Sequence, residues 1–154
     1  MKYLELTFTE AERNLSCDEA LLELFEAQRP DEGLLRLWQP ENYFVVLGHS
    51  NHLAAEVAVT PCATDGVAIL RRASGGGAVL QGPGCLNYSL ILDCGMFGLK
   101  NIGATFHYVL NRHRTSIAAL AGRQIAVAGI SDLTTGGRTT FIQYRALRLP
   151  RPRT

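Results

Sequence analysis

Arg71-Arg72-Ala73-Ser74-Gly75-Gly76-Gly77-Ala78-Val79-Leu80-Gln81 is the stretch that decides how this chain is read. It follows an apolar run, Val67-Ala68-Ile69-Leu70, and precedes a second strand-like run from Cys85 to Leu92. Glycine has no Cβ, so three in succession let the backbone turn sharply and lie directly against a ligand. Backbone N–H groups in such a turn form an anion-binding concavity, and flanking guanidiniums add charged, forked donors. The expected task is to hold a phosphate or a carboxylate. A flexible hairpin between two strands is the alternative.

Outward from this loop the chain reads as alternating strands and helices. Tyr3 to Phe8 is an initial strand or extended lead. Ser16-Cys17-Asp18-Glu19 matches a capping box ahead of the apolar positions Ala20, Leu21, Leu24 and Phe25. A start one turn earlier, near Glu12, fits equally, and Pro30 and Gly33 stop the helix. Leu34–Trp38 and Tyr43–Gly48 are strands joined by a turn at Pro40-Glu41-Asn42. Leu53 to Cys62 reads as one helix broken at Pro61, with Glu56 exposed. Asn101 to Ala121 is the longest helical candidate, with Phe106, Val109, Leu110, Ile117 and Leu120 apolar and Gly122 as its stop. Gln124–Ala128 is a further strand.

A length of 154 residues suits one domain with a real core, and 47% hydrophobic with 19% charged residues is the balance of a soluble protein. No apolar run approaches the ~20 residues that span a bilayer, and Met1-Lys2-Tyr3 does not open a signal peptide. A cytoplasmic protein that engages no membrane is expected. Cys17, Cys62, Cys85 and Cys94 lie far apart with no C-x-x-C pair, so they read as reduced thiols. His49 and His52 have no third ligand at a useful spacing, so no metal site is expected. Asn87 is polar within an apolar strand. It either ties down the neighbouring loop or faces a ligand.

Arg72-x-Ser74-Gly75-Gly76-Gly77-Ala78-Val79, followed by Gly84-x-Leu86-Asn87-Tyr88-Ser89, resembles the signature of the lipoate–protein ligase A and octanoyltransferase family, which belongs to the biotin/lipoate protein ligase superfamily. Asn14-Leu15 to Leu22, and Asp132-Leu133 with Gly136-Gly137-Arg138, resemble further family segments. The resemblance implies an α+β fold, a mixed central sheet flanked by helices in the manner of class II synthetases. It implies a catalytic domain over residues 1–138, incomplete at its C-terminal end. Residues 139–154 carry four arginines and no acidic residue, and depart from the family. A truncation or frame change, or a basic tail for an acidic partner or RNA, accounts for that; the former is the expectation, so no nucleic-acid partner is assigned.

The family reaction activates lipoate or octanoate with ATP and magnesium to an acyl-adenylate. It then transfers the acyl group to a lysine of a lipoyl carrier domain, in a 2-oxoacid dehydrogenase or a glycine cleavage protein. Carried onto this chain, the resemblance assigns substrate or nucleotide binding to Arg71, Arg72, Ser74, Gly75, Gly76, Gly77, Ala78, Val79, Asn87 and Asp132. Asp132 would accept from ribose or orient magnesium, or else simply cap a turn. The family's catalytic lysine falls at Thr139, so no catalytic residue is assigned. Four alternatives stand: acyl transfer from a carrier thioester, a binding module without turnover, an unstable fragment with no activity, and a site completed by another subunit. A biotin-ligase reading fits less well, because those enzymes order their glycine loop differently.

Overall fold

A computed structural model of the chain describes residues 1–93, 95, 98–99, 101–129, 132–136 and 138–140. It divides into two units, residues 1–93 and the segment that begins at 94. The elements are β1 (Lys2–Glu5), α1 (Ala11–Gln28), β2 (Leu34–Trp38), β3 (Phe44–Leu47), α2 (Leu53–Glu56), α3 (Val59–Thr64), β4 (Ala68–Arg71), β5 (Val79–Gln81), β6 (Asn87–Ile91), α4 (Ile102–Ala121), β7 (Ala126–Ala128), β8 (Asp132–Thr135) and β9 (Arg138–Thr140). The chain is α+β with mixed sheets, as its sequence led us to expect. The strands pair in three sheets of three rather than in one.

In the first unit β2 lies between β1, parallel to it, and β6, antiparallel. β3 lies between β4, parallel, and β5, antiparallel. All four β3 residues, Phe44 to Leu47, are buried, which is why this strand is apolar throughout instead of alternating. Trp38, Phe44 and Val46 form a core cluster on which Ala11 and Leu15 of α1 and Leu70 of β4 pack. The turn at residues 40–42 therefore does not close a hairpin. It carries the chain from one sheet to the other.

The helix α1 begins at Ala11, a turn ahead of the Ser16-x-x-Glu19 signature, and no side chain caps it. A polar anchor holds its first turns instead. Asn14 Oδ1 accepts from the Phe8 amide at 2.9 Å, and Asn14 Nδ2 donates to the Phe8 carbonyl at 2.6 Å. Arg36, fully buried, donates to the carbonyls of Leu6 and Asn14, to Asn14 Oδ1, and to Asp18 Oδ1 at 2.6 Å. Its guanidinium also lies 5.4 Å from the Trp38 ring centroid. Arg29, at φ 44°, ends the helix just before Pro30.

The single helix expected over residues 53–62 is two short ones, α2 and α3. Pro61 stands in the first turn of α3, where an N–H has no intrahelical partner to lose, so it is tolerated rather than disruptive.

In the second unit α4 starts at Asn101, whose side chain accepts from the Ala104 amide at 2.8 Å, and ends at Gly122 in the left-handed conformation. Leu110, Ile125 and Leu133 form its core with Phe106, Ile117 and Ala118. Leu120, expected on the apolar face, is 88% exposed. β8 lies between β7 and β9, all antiparallel. Among the described residues no helix is long and apolar enough to cross a membrane.

Candidate functional site

The strand order β4-β3-β5 decides what the glycine loop is. β4 runs parallel to β3 and β5 runs back along its other edge, with Arg71 opposite Leu47 and Val79 opposite Val46. Residues 72–78 therefore arch over the C-terminal end of β3. They do not form a hairpin, because β4 and β5 are not partners.

The arch comes very close to β3. A Cβ on Gly48 would collide with the Gly76 carbonyl oxygen and with Asn51 Oδ1. Gly76 itself has φ 98°, and a Cβ there would lie 2.9 Å from Arg72 Nη2. Only glycine fits at either position.

Arg72 sets the direction of the loop's peptide groups. It is buried, and its guanidinium donates to three carbonyls: Val46 at 3.1 Å, Gly75 at 3.2 and 2.8 Å, and Gly77 at 2.9 Å. The Ser74 carbonyl accepts from the His49 amide at 2.9 Å. With the carbonyls turned inward, the N–H groups of Gly75, Gly76 and Gly77, all exposed residues, have no hydrogen-bond partner among the described residues. Burial pushes the Arg72 guanidinium down to about 10, against the opposing pull of the Glu56 carboxylate, so it stays charged at neutral pH. Its role in this structure is to anchor the loop. The groups of the arch that this leaves without a partner among the described residues are the glycine amides.

Arg71, its neighbour in β4, anchors the other side of the approach. Its Nη1 donates to the carbonyls of Gly48, His49 and Asn51 at 2.7, 3.0 and 3.0 Å and ties down the segment after β3. Glu56, read from the sequence as a solvent-facing residue, closes the arch at its far end. Its Oε2 accepts from the Ala78 amide at 2.6 Å, and its Oε1 accepts from Asn51 Nδ2. Sequence reasoning missed Glu56 because a lone carboxylate on an amphipathic pattern carries no signal.

A small cleft runs beside the arch, floored by Leu15 of α1 and Leu70 of β4 and rimmed by Glu12, Ser16, Glu19, Arg71 and Arg72. The S-x-x-E residues thus line a cleft instead of capping a helix. Asn87 lies at the start of β6 opposite Trp38. Asn87 Nδ2 and Trp38 Nε1 are buried donors without a partner in this structure. Asn87 therefore does not tie down the glycine loop.

The remaining assigned residue, Asp132, belongs to the second unit. It stands at the start of β8 opposite Ala128, with its carboxylate beside the tight turn at Gly129, φ 59°. Thr139 pairs with Thr134 across β8 and β9. Cys17, Cys62 and Cys85 are free thiols, and no group of three metal-ligating side chains occurs among the described residues. Cys94 and most of the arginine-rich tail lie outside the described residues.

The chain is thus a mixed α+β fold whose central strand β3 ends under a glycine arch. The sequence matches the lipoyl protein ligase A/B catalytic domain over residues 10–140, and the chain belongs to that family. A protein of Aeropyrum pernix named "Putative lipoate-protein ligase A" is 34% identical over 80 residues, 51% of this chain and 29% of that protein. The fold is similar to that of a lipoate–protein ligase A solved with ATP, at TM-score 0.73 and 23% identity over 90% of this chain and 57% of the other. It is also similar to the Thermoplasma acidophilum protein Ta0514 solved with lipoic acid, at TM-score 0.73 and 23% identity, covering 90% and 59%. A structure of a bipartite lipoate protein ligase and its E2 lipoyl domain from the same organism matches at TM-score 0.71 and 24% identity, covering 90% and 52%. The chain thus spans less than two thirds of the length of each of these relatives.

Proposed function

We propose that this chain binds lipoate or octanoate and contributes to attaching it to a lysine of a lipoyl carrier domain, by way of an acyl-adenylate formed from ATP. The observation that carries the reading is the arch of residues 72–78, whose carbonyls are held inward by Arg72 and whose glycine amides face outward. Such a row of N–H groups holds the carboxylate before it attacks phosphorus and stabilises the charge that gathers on the phosphoryl oxygens as the O–P bond forms and pyrophosphate leaves. Apolar side chains such as Leu15 and Leu70 give the acyl chain a surface worth about 0.8 kcal/mol per buried methylene. ATP is the co-substrate and magnesium its accompanying ion in this reading, with Asp132 the candidate side chain for ribose or metal. The carrier domain of a 2-oxoacid dehydrogenase or glycine cleavage protein is the acceptor, and the reaction is placed in the cytoplasm.

Thr139 stands where the family motif has lysine, and this favours a second reading in which the chain binds without turning over unless another subunit completes the site. Losing one preorganised cationic donor typically lowers a rate by a hundred- to a thousandfold. The test is transfer of lipoate to a purified lipoyl domain, followed by intact mass, with and without ATP, beside the Thr139→Lys variant. An ATP-dependent mass gain that rises at least tenfold in the variant is expected. No gain in any arm from folded protein would sink the ligase reading and leave the binding reading.

A further inference from the structure

Glu56 deepens that reading. It is the last residue of α2, exposed, and its carboxylate grips the arch at one point only, the Ala78 amide at 2.6 Å. Its other oxygen takes the Asn51 side-chain amide, and the Asn51 carbonyl is itself held by Arg71. The arch is thus fixed at its carbonyls by a buried cation and at its last amide by an anion. A carboxylate is the same kind of group that the glycine amides suit. Glu56 occupies the end of that row, its Oε2 3.9 Å from where a Cβ on Gly77 would stand, so a carboxylate flanks the glycine amides.

We propose that Glu56 is a positioning and charge-selecting residue: it holds the arch through Ala78 and reserves the glycine amides for a singly charged carboxylate or acyl phosphate ester, against polyanions. The proposal rests on the reading of the arch as the acyl-ligand site. Two unit charges roughly 6 Å apart in water-like surroundings alter binding by about a factor of three. The penalty multiplies with each further charge on the ligand, while salt reduces it. A singly charged ligand pays it once. Pyrophosphate, near −3, pays it about three times over.

The experiment titrates octanamide, octanoate and inorganic pyrophosphate into the native chain and the Glu56→Gln variant, by calorimetry at fixed ionic strength. Glutamine keeps an acceptor for Ala78 and removes the charge, while turning the oxygen that takes the Asn51 side-chain amide into a donor. Expected in the variant are unchanged octanamide binding, about threefold tighter octanoate and about thirtyfold tighter pyrophosphate. Anion binding that arises only in the variant also supports the proposal. One common factor for all three ligands overturns it, as does absence of anion binding in both proteins. The Glu56→Asp variant keeps the charge but draws it back from Ala78, so all three ligands should weaken together. A pyrophosphate gain there as large as the roughly thirtyfold expected on removing the charge would equally overturn it, even if the glutamine variant failed to fold. Binding needs no turnover, so failure of acyl transfer in the mass assay leaves this test intact.

Discussion

Arg72 places two of its guanidinium nitrogens, Nε at 3.2 Å and Nη2 at 2.8 Å, on the single carbonyl oxygen of Gly75. A planar fork can do this while still reaching Gly77 and Val46, and an ammonium cannot.

The Arg72→Lys variant should therefore lose most of the anchor while keeping the charge. Each carbonyl left without a donor costs about 1–3 kcal/mol where water cannot reach it, and the Val46 carbonyl lies on a buried strand. A net loss of about 2–4 kcal/mol is expected, lowering the melting temperature by roughly 5–15 °C at this chain length. Hydrogen exchange at residues 73–78 should quicken more than exchange in β3. Equal protection of the loop in both proteins would refute the anchoring role. With the guanidinium held near 10, the anchor keeps its charge through neutral pH and sheds it only as pH rises through about 10.

Gly48→Ala tests the close approach of arch and strand. The new methyl group would meet the Gly76 carbonyl, which is backbone and cannot rotate away. The arch must lift, which breaks the bond from the His49 amide to Ser74. A destabilisation of about 1–3 kcal/mol is expected, together with loss of octanoate binding and a retained far-ultraviolet circular dichroism spectrum. Native-strength binding by the alanine variant would show that the arch does not contact the ligand.

The position of the loop was legible because Ser74-Gly75-Gly76-Gly77 announces a backbone without side chains between two apolar runs. Its polarity was not. Whether Arg72 faces a ligand or its own loop depends on β4 and β5 flanking β3, and strand order is not written in a local pattern. The long helix α4 was read nearly to the residue, because Asn101 and Gly122 are capping residues whose chemistry acts locally. The start of α1 was legible only as one of two alternatives, and the earlier one, near Glu12, holds because Asn14 and Arg36, distant in sequence, take the place of a cap. Glu56 was read as a surface charge, since only the folded loop brings Ala78 to it.

Asp18 and Arg36 yield a prediction about folding and not about ligands. Arg36 is fully buried and Asp18 supplies its only carboxylate among the described residues, at 2.6 Å. Removing one partner of such a pair leaves an uncompensated charge and typically costs 3–5 kcal/mol. Asp18→Ala should fall near the lower bound, about 3 kcal/mol, because Leu6 and Asn14 still accept from the guanidinium. Asp18→Asn, which keeps an acceptor, should cost less. Denaturant unfolding of the two variants checks the order. The reverse order would mean that the retained acceptor adds nothing and that an amide facing the guanidinium costs more than no side chain there.

Cys17, on the same helix, reports on this network through its pH dependence. Burial pushes its thiol above the ordinary cysteine value, the Arg36 guanidinium pulls it partly back, and Asp18 adds to the rise. A thiol whose folded value is raised stays protonated while the unfolded chain has already ionised. The folded state then holds the extra proton, so this group's stabilising contribution is complete below the ordinary thiol range and is lost as pH climbs through the raised value. Thiolate is the reacting form, so alkylation of Cys17 by iodoacetamide at pH 8 should run several times slower than that of free cysteine. The two Asp18 variants separate the causes. With the carboxylate gone, Arg36 acts on the thiol unopposed, and its reaction at pH 8 should quicken relative to the native chain in protein that remains folded. Peptide mapping of the alkylated chain at a series of pH values measures this directly, and a Cys17 rate equal to that of free cysteine would contradict the half-buried placement of the thiol beside Arg36.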